Sequence, residues 1–130
     1  MAERPAPSTK PVLQKLLLKP GSRVLVLNAP GGYADQFPPD SPVEQRLANG
    51  EYDFIQLFAT RRDELLTLGP KLRQALRPGG LLWVAYPKGK ALPTDLNRAV
   101  VRTTLAEVGL EVVTQVAIDE TWSALRAKPV

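Results

Sequence analysis

The sequence predicts an α/β protein whose open, mostly parallel sheet is shorter than a complete doubly wound one and ends in an antiparallel β-hairpin. Three observations predict it. Two Pro-Gly turns, Lys19-Pro-Gly21 and Arg77-Pro-Gly-Gly80, each feed an apolar run, Arg23–Asn28 and Leu81–Tyr86. Both runs are nearly continuous rather than alternating, as strands buried on both faces are. The elements between and after them follow the order strand, helix, strand, helix, hairpin, which is the order of a parallel sheet with crossover helices.

The elements follow in chain order. Residues 1–11 hold three prolines within Glu3–Pro11 and no apolar period, so they are expected to form a flexible arm ahead of a single domain over 12–130. Pro11–Leu18 fits one short helix lying across the sheet. Strand one is Arg23–Asn28. The segment Tyr33–Ser41 is rich in Pro and Asp, and Pro42–Leu47 alternates enough for a short edge strand or a single helical turn, of which the strand is expected. Gly50–Asp53 turns the chain into a second central strand, Phe54–Ala59.

Thr60-Arg-Arg-Asp63 has capping-box spacing, with the Thr60 hydroxyl set to accept from the amide three residues on and Asp63 to reach back. Leu65, Leu68, Leu72 and Leu76 give the helix that follows one apolar stripe, and Gly69-Pro70 is expected to kink or divide it. Gly79-Gly80 ends it and Leu81–Tyr86 is the third central strand. Thr94 is expected to cap the last helix, with Asp95 at its positive end and Leu96, Val100, Thr104 and Val108 on its inner face. Gly109 suits the left-handed position that ends a helix. Leu110–Ile118 then alternates as a strand, and Trp122–Ala127 returns antiparallel.

A chain of 130 residues suits one domain and buries about two-thirds of its unfolded surface. Cysteine and histidine are both absent, which excludes disulfides, thiolate nucleophiles, an imidazole base and the usual zinc sites. Thr60 and Thr94 accordingly read as helix caps, since no histidine is there to activate a hydroxyl. The run Val12–Leu18 is too short and too polar for a signal peptide or a membrane span, so a cytoplasmic location is expected. The net charge of +4 is spread along the chain and few aromatic residues accompany it, so a solvated basic surface is expected rather than a nucleic-acid site. Trp83 and Trp122 read as packing residues.

With these elements in place, the two Pro-Gly-strand phrases resemble the first and fifth strands of a class I methyltransferase core, a Rossmann-like fold. Only residues 29–51 separate strand one from the next strong strand, where a complete core of that type fits two strand-helix units. Asn28-Ala-Pro30, Tyr86-Pro-Lys88, Thr94-Asp-Leu96 and Ile118-Asp-Glu-Thr-Trp-Ser123 resemble a family of small bacterial proteins described only as a domain of unknown function. That similarity spans about residues 12–128. Pro7-Ser-Thr-Lys10 departs from the Tyr-Ser-Gly stretch of that family, and the resemblance implies a fold but no catalytic residue.

The resemblance to methyltransferases implies S-adenosylmethionine as cofactor, a Gly-rich loop after strand one and an acid at the end of strand two for the ribose hydroxyls. Asn28, Gly31, Gly32 and Tyr33 are the candidate cofactor-binding residues. Pro30 removes a backbone donor from that loop, and Asp35, Asp40 or Glu44 would have to supply the acid. On this reading no cofactor is expected and the chain leans away from catalysis, with a minimal S-adenosylmethionine-dependent methyltransferase as the alternative. Arg61, Arg62, Lys88 and Lys90 form a candidate anion-binding rim at the carboxyl ends of the strands, which offers a third reading as a phosphate or nucleotide binder. The leading expectation is a non-catalytic, methyltransferase-like scaffold that binds a partner or itself, with homo-oligomer formation through an uncovered edge strand.

Overall fold

The computed structural model of the chain describes residues 12–89 and 91–130, so the arm expected over 1–11 and the candidate Lys90 lie outside the described residues. In chain order the elements are α1 (Val12–Lys15), β1 (Val24–Leu27), a 3-10 turn (Ala34–Gln36), β2 (Val43–Glu44), β3 (Tyr52–Phe58), α2 (Arg62–Ala75), β4 (Leu76–Pro87), α3 (Arg98–Glu107), β5 (Leu110–Ala117) and β6 (Trp122–Pro129). The strands form one sheet in the order β2-β1-β3-β4-β6-β5. β2, β1, β3 and β4 are mutually parallel, and β6 enters antiparallel between β4 and β5. This is the shortened, Rossmann-like α/β sheet that the sequence predicts.

Both faces of the sheet are covered, which is why the central runs are apolar without alternation. One face packs Leu25, Ile55, Leu57 and Val84 against Leu65 and Leu72 of α2 and Val101 and Leu105 of α3. The other gathers Val24, Val26, Phe54, Phe58, Trp83 and Trp122 under Leu16, Tyr33 and Phe37. Trp83 is fully buried and its indole N–H donates to the Leu16 carbonyl at 2.9 Å, which fixes α1 on this second face. Trp122 packs edge-on to Phe58 with ring centroids 5.0 Å apart, the packing role expected of it.

Several boundaries differ from the sequence reading, each for a local reason. α2 begins one residue later than the Thr60–Asp63 spacing implies, with Arg61 as N-cap. Glu64, not Asp63, reaches back: its Oε1 accepts from the amides of Thr60 at 2.9 Å and Arg61 at 3.0 Å, while Asp63 pairs with the Arg61 side chain. Gly69-Pro70 does not divide the helix, which runs unbroken from Arg62 to Ala75. Pro70 lies on the exposed side, where water can reach a carbonyl left without its amide, and Gly69 is buried against Val108 at the end of α3. Leu76 belongs to β4 rather than to the leucine stripe, and pairs with Tyr52.

The last helix starts at Arg98, capped by Asn97, whose Oδ1 accepts from the Val100 amide at 2.9 Å. Thr94 does not cap it. Its hydroxyl donates to the Thr60 carbonyl at 2.5 Å and accepts from the Leu96 amide, tying the chain before α3 to the end of β3. Asp95 does stand at a helix N-terminus, but that of α2, where it accepts from the Arg62 amide at 2.9 Å. Gly109 ends α3 at φ +82°, as its position suggests.

Candidate functional site

A ligand crevice in an open α/β sheet forms where the strand order reverses, beyond the carboxyl ends of the strands. Here the chain leaves β1 toward β2 on one side and returns to β3 on the other, so the reversal falls between β1 and β3. The loop after β1 opens with Asn28 at φ +61°, a left-handed conformation that asparagine tolerates better than most residues. Gly32 follows at φ +82°. A Cβ at either Gly31 or Gly32 would meet no atom within 4 Å, so the backbone of this loop is open to close approach. Pro30 accepts the Tyr33 amide at 3.1 Å through its carbonyl, which folds the loop over.

Tyr33 turns inward from this loop. Its ring packs edge-on to Phe58 and Phe37, and its hydroxyl donates to Gln56 Oε1 at 2.7 Å. Burial, with Asp119 adding to it, pushes the phenol pKa up to about 12, so it is a neutral donor rather than a base. Gln56 is fully buried in β3, and its Nε2 has no partner among the described residues. A glutamine inside the run Phe54–Ala59 is the one polar residue there, and this was the sequence signal for it. Of the candidate cofactor residues, Asn28, Gly31 and Gly32 are therefore exposed on the loop after β1, whereas the Tyr33 side chain is buried beneath it.

The candidate acids separate clearly. Glu44 sits in β2 beside the start of β1, where its carboxylate accepts from Arg23 Nε at 2.8 Å, Arg23 Nη2 at 3.1 Å and the Tyr52 hydroxyl at 2.9 Å. The Arg23 hydrogen bonds hold its carboxyl below the usual range. The guanidinium also lies 4.0 Å above the Tyr52 ring. Glu44 is thus committed to joining β2 to the amino end of the sheet, opposite the crevice. Asp35 and Asp40 are exposed on the segment between β1 and β2, Asp35 three residues after Gly32 and Asp40 three residues before β2.

Of the candidate rim residues, Arg61, Arg62 and Lys88 share the carboxyl edge. Arg61 and Arg62 flank the start of α2, and half-buried Lys88 follows β4, its amide donating to the Thr121 carbonyl at 2.8 Å. Their charges are partly spoken for. Arg61 Nε lies 3.1 Å from Asp63, and Arg62 Nη2 lies 2.5 Å from Glu107. The amides of Thr60, Arg61 and Arg62 already donate to Glu64 and Asp95, so the helix start presents fewer free donors than its sequence implies. Glu64 and Asp95 were missed as functional neighbours because only the fold brings Asp95 to α2. Among the described residues, no group of His, Cys, Asp and Glu is arranged to hold a metal ion, and no helix is long and apolar enough to cross a membrane.

No family model matches the chain, and no curated protein matches it in sequence. Solved structures do match in fold. A SAM-dependent methyltransferase from Aquifex aeolicus superimposes with a TM-score of 0.66 at 17% identity, covering 92% of this chain and 88% of that one. The ribosomal protein L11 methylase of Lactobacillus delbrueckii subsp. bulgaricus gives 0.61 at 14% identity, over 91% of this chain and 74% of that one. Magnesium protoporphyrin IX methyltransferase from Synechocystis, solved with bound SAM, gives 0.60 at 11% identity, over 85% and 71%. At these identities the likeness is one of fold, that of a shortened Rossmann-like, methyltransferase-type core.

Proposed function

We propose that the crevice between the loops after β1 and β3 binds S-adenosylmethionine and that the chain is a methyltransferase of minimal form. The observation that carries this reading is the open backbone of Gly31 and Gly32 at the strand-order reversal, where a ligand approaches without meeting a side chain. Asn28, Gly31 and Gly32 would hold the amino-acid part of the ligand, and Asp35 or Asp40 the ribose hydroxyls. When bound, the cofactor supplies an electrophilic methyl group on its sulfonium. Burial of Tyr33, Phe58 and Trp122 beneath the crevice gives it a dry, fixed floor.

A second reading, a non-catalytic binding domain on the same scaffold, draws on the commitment of Glu44 to Arg23 and Tyr52 and on the amides of α2 already taken by carboxylates. Thermal unfolding separates the two. A ligand at a hundred times its dissociation constant adds about 2.7 kcal/mol, which raises the midpoint of a chain of this size by roughly ten degrees. The expected result is a rise of that order with S-adenosylmethionine and with its demethylated product. Gly31→Val should fold normally, since its side chain meets open space, and should lose the rise. An unchanged midpoint at millimolar ligand supports the binding-domain reading instead.

A further inference from the structure

The opposite end of the sheet carries a second concavity. β3 and β4 pair at Tyr52–Leu76 and again at Phe54–Leu81, so between these points β3 spends one residue, Asp53, and β4 spends four, Arg77–Gly80. The surplus loops out as a bulge, a device that re-aims side chains beside functional sites. Gly80 is required at its base, because a Cβ there would lie 2.9 Å from the Arg77 carbonyl oxygen and 3.1 Å from that of Asp53. On the two sides of this bulge lie clefts of about 530 Å³ and 540 Å³, which share Arg77–Leu81 and Arg126. Each is of the size that takes a small organic ligand.

The chemistry of the walls is specific. Leu17, Pro20, Pro78 and Leu81 supply apolar surface, while Lys19, Arg77 and Arg126 supply charge. Arg77 is bonded to Asp53 Oδ1 at 2.5 Å, and Asp53 Oδ2 also accepts the Arg23 amide at 2.7 Å. Arg126 differs. It stands opposite Trp83 across the β4–β6 ladder, is half-buried, and makes no side-chain hydrogen bond or ion pair among the described residues. A partly desolvated guanidinium without an acceptor is poised for an anion that its planar fork can grip at two points. Three cations and one carboxylate line the first cleft, a surplus of two positive charges. That surplus matches a phosphomonoester, which carries about −1.5 to −2 near neutrality, better than a single carboxylate.

We propose that this amino-end cleft is a binding site for a small phosphomonoester with an apolar or planar body, anchored by Arg126 with Lys19 at the mouth. The site is separate from the crevice at the carboxyl ends, and its existence does not depend on what that crevice binds.

Calorimetric titration of the intact chain with phenyl phosphate, inorganic phosphate and benzoate tests it. Phenyl phosphate should bind at one site. Inorganic phosphate, lacking the apolar body, and benzoate, lacking the second charge, should each bind about tenfold more weakly or worse. Arg126→Gln should weaken phenyl phosphate by about tenfold or more, Lys19→Gln by less, and Lys71→Gln on the far side of α2 not at all. Because Arg126 lies in a strand, circular dichroism must show each variant folded, and Lys19→Gln, in a loop, keeps the test decisive if Arg126→Gln is not. Absence of binding, equal affinity for benzoate, or affinity untouched by both Arg126→Gln and Lys19→Gln overturns the proposal.

Discussion

At the scale of single residues, the structure turns on polar side chains placed where the sequence is otherwise apolar. Tyr33 and Gln56 form a buried pair beneath the crevice, and a buried hydrogen bond is worth most when its loss strands a partner. Tyr33→Phe removes the only donor to Gln56 Oε1 among the described residues and should cost about 1–3 kcal/mol in chemical denaturation. The pair also has a pH signature. The folded pKa of Tyr33, about 12, is raised above its value of 10.0 in an unfolded chain, so its contribution is complete below pH 10 and is lost as pH climbs toward 12. The wild type should therefore lose stability more steeply over that window than Tyr33→Phe does. Parallel curves for the two proteins would show that Tyr33 is not the buried group responsible. Glu44 gives the contrasting lesson: an acid at a suggestive place in the sequence is engaged by Arg23 and Tyr52 at the wrong end of the sheet.

At the scale of elements, α2 and α3 meet at Gly69. A Cβ there would lie 2.8 Å from Val108 Cγ2 and 3.5 Å from Val108 Cβ, and a valine side chain cannot swing aside freely. Two effects compete in Gly69→Ala. Helix propensity favours alanine by about 1 kcal/mol, while overpacking a fitted contact costs about 1–3 kcal/mol. The contact should win, leaving the variant less stable by thermal or chemical unfolding. In a Val108→Ala background the clash is relieved, and the same change should become neutral or stabilising. If the sign does not change, the close approach of the two helices is not what requires glycine.

Much of this level was legible in the chain. The continuous apolar runs marked β1, β3 and β4, which are buried on both faces, alternation marked β5, and the Asp119–Thr121 turn marked β6 as its antiparallel return. The two-residue β2 was readable from Pro42–Leu47 as an edge element. Helix starts were the weaker part. Thr60 and Thr94 have cap chemistry, yet Glu64 and Asn97 perform the capping, since several polar residues compete within each stretch and only packing selects among them. The extra length of β4 before Leu81 was hidden because Pro78-Gly79-Gly80 reads as a turn, whereas the fold uses it as a bulge within a strand.

At the scale of the whole molecule, the shortened connection between β1 and β3 keeps the strand-order reversal while reducing the second strand to Val43 and Glu44. The loop after β1, at that reversal, was visible in the sequence as Asn28–Gly32. What the sequence hid was the direction in which side chains leave that loop and the ends of the sheet at which charges pair. Those depend on register and on contacts between residues far apart in the chain, such as Asp95 with Arg62 and Glu44 with Arg23.

Calorimetric titration of the chain with S-adenosylhomocysteine, the demethylated product, in parallel with Gly31→Val, decides whether the loop after β1 holds this cofactor. Saturable binding at one site is expected in the wild type and none in Gly31→Val, whose side chain would occupy the open loop backbone after β1. No heat at millimolar ligand, or equal binding by both proteins, would contradict it.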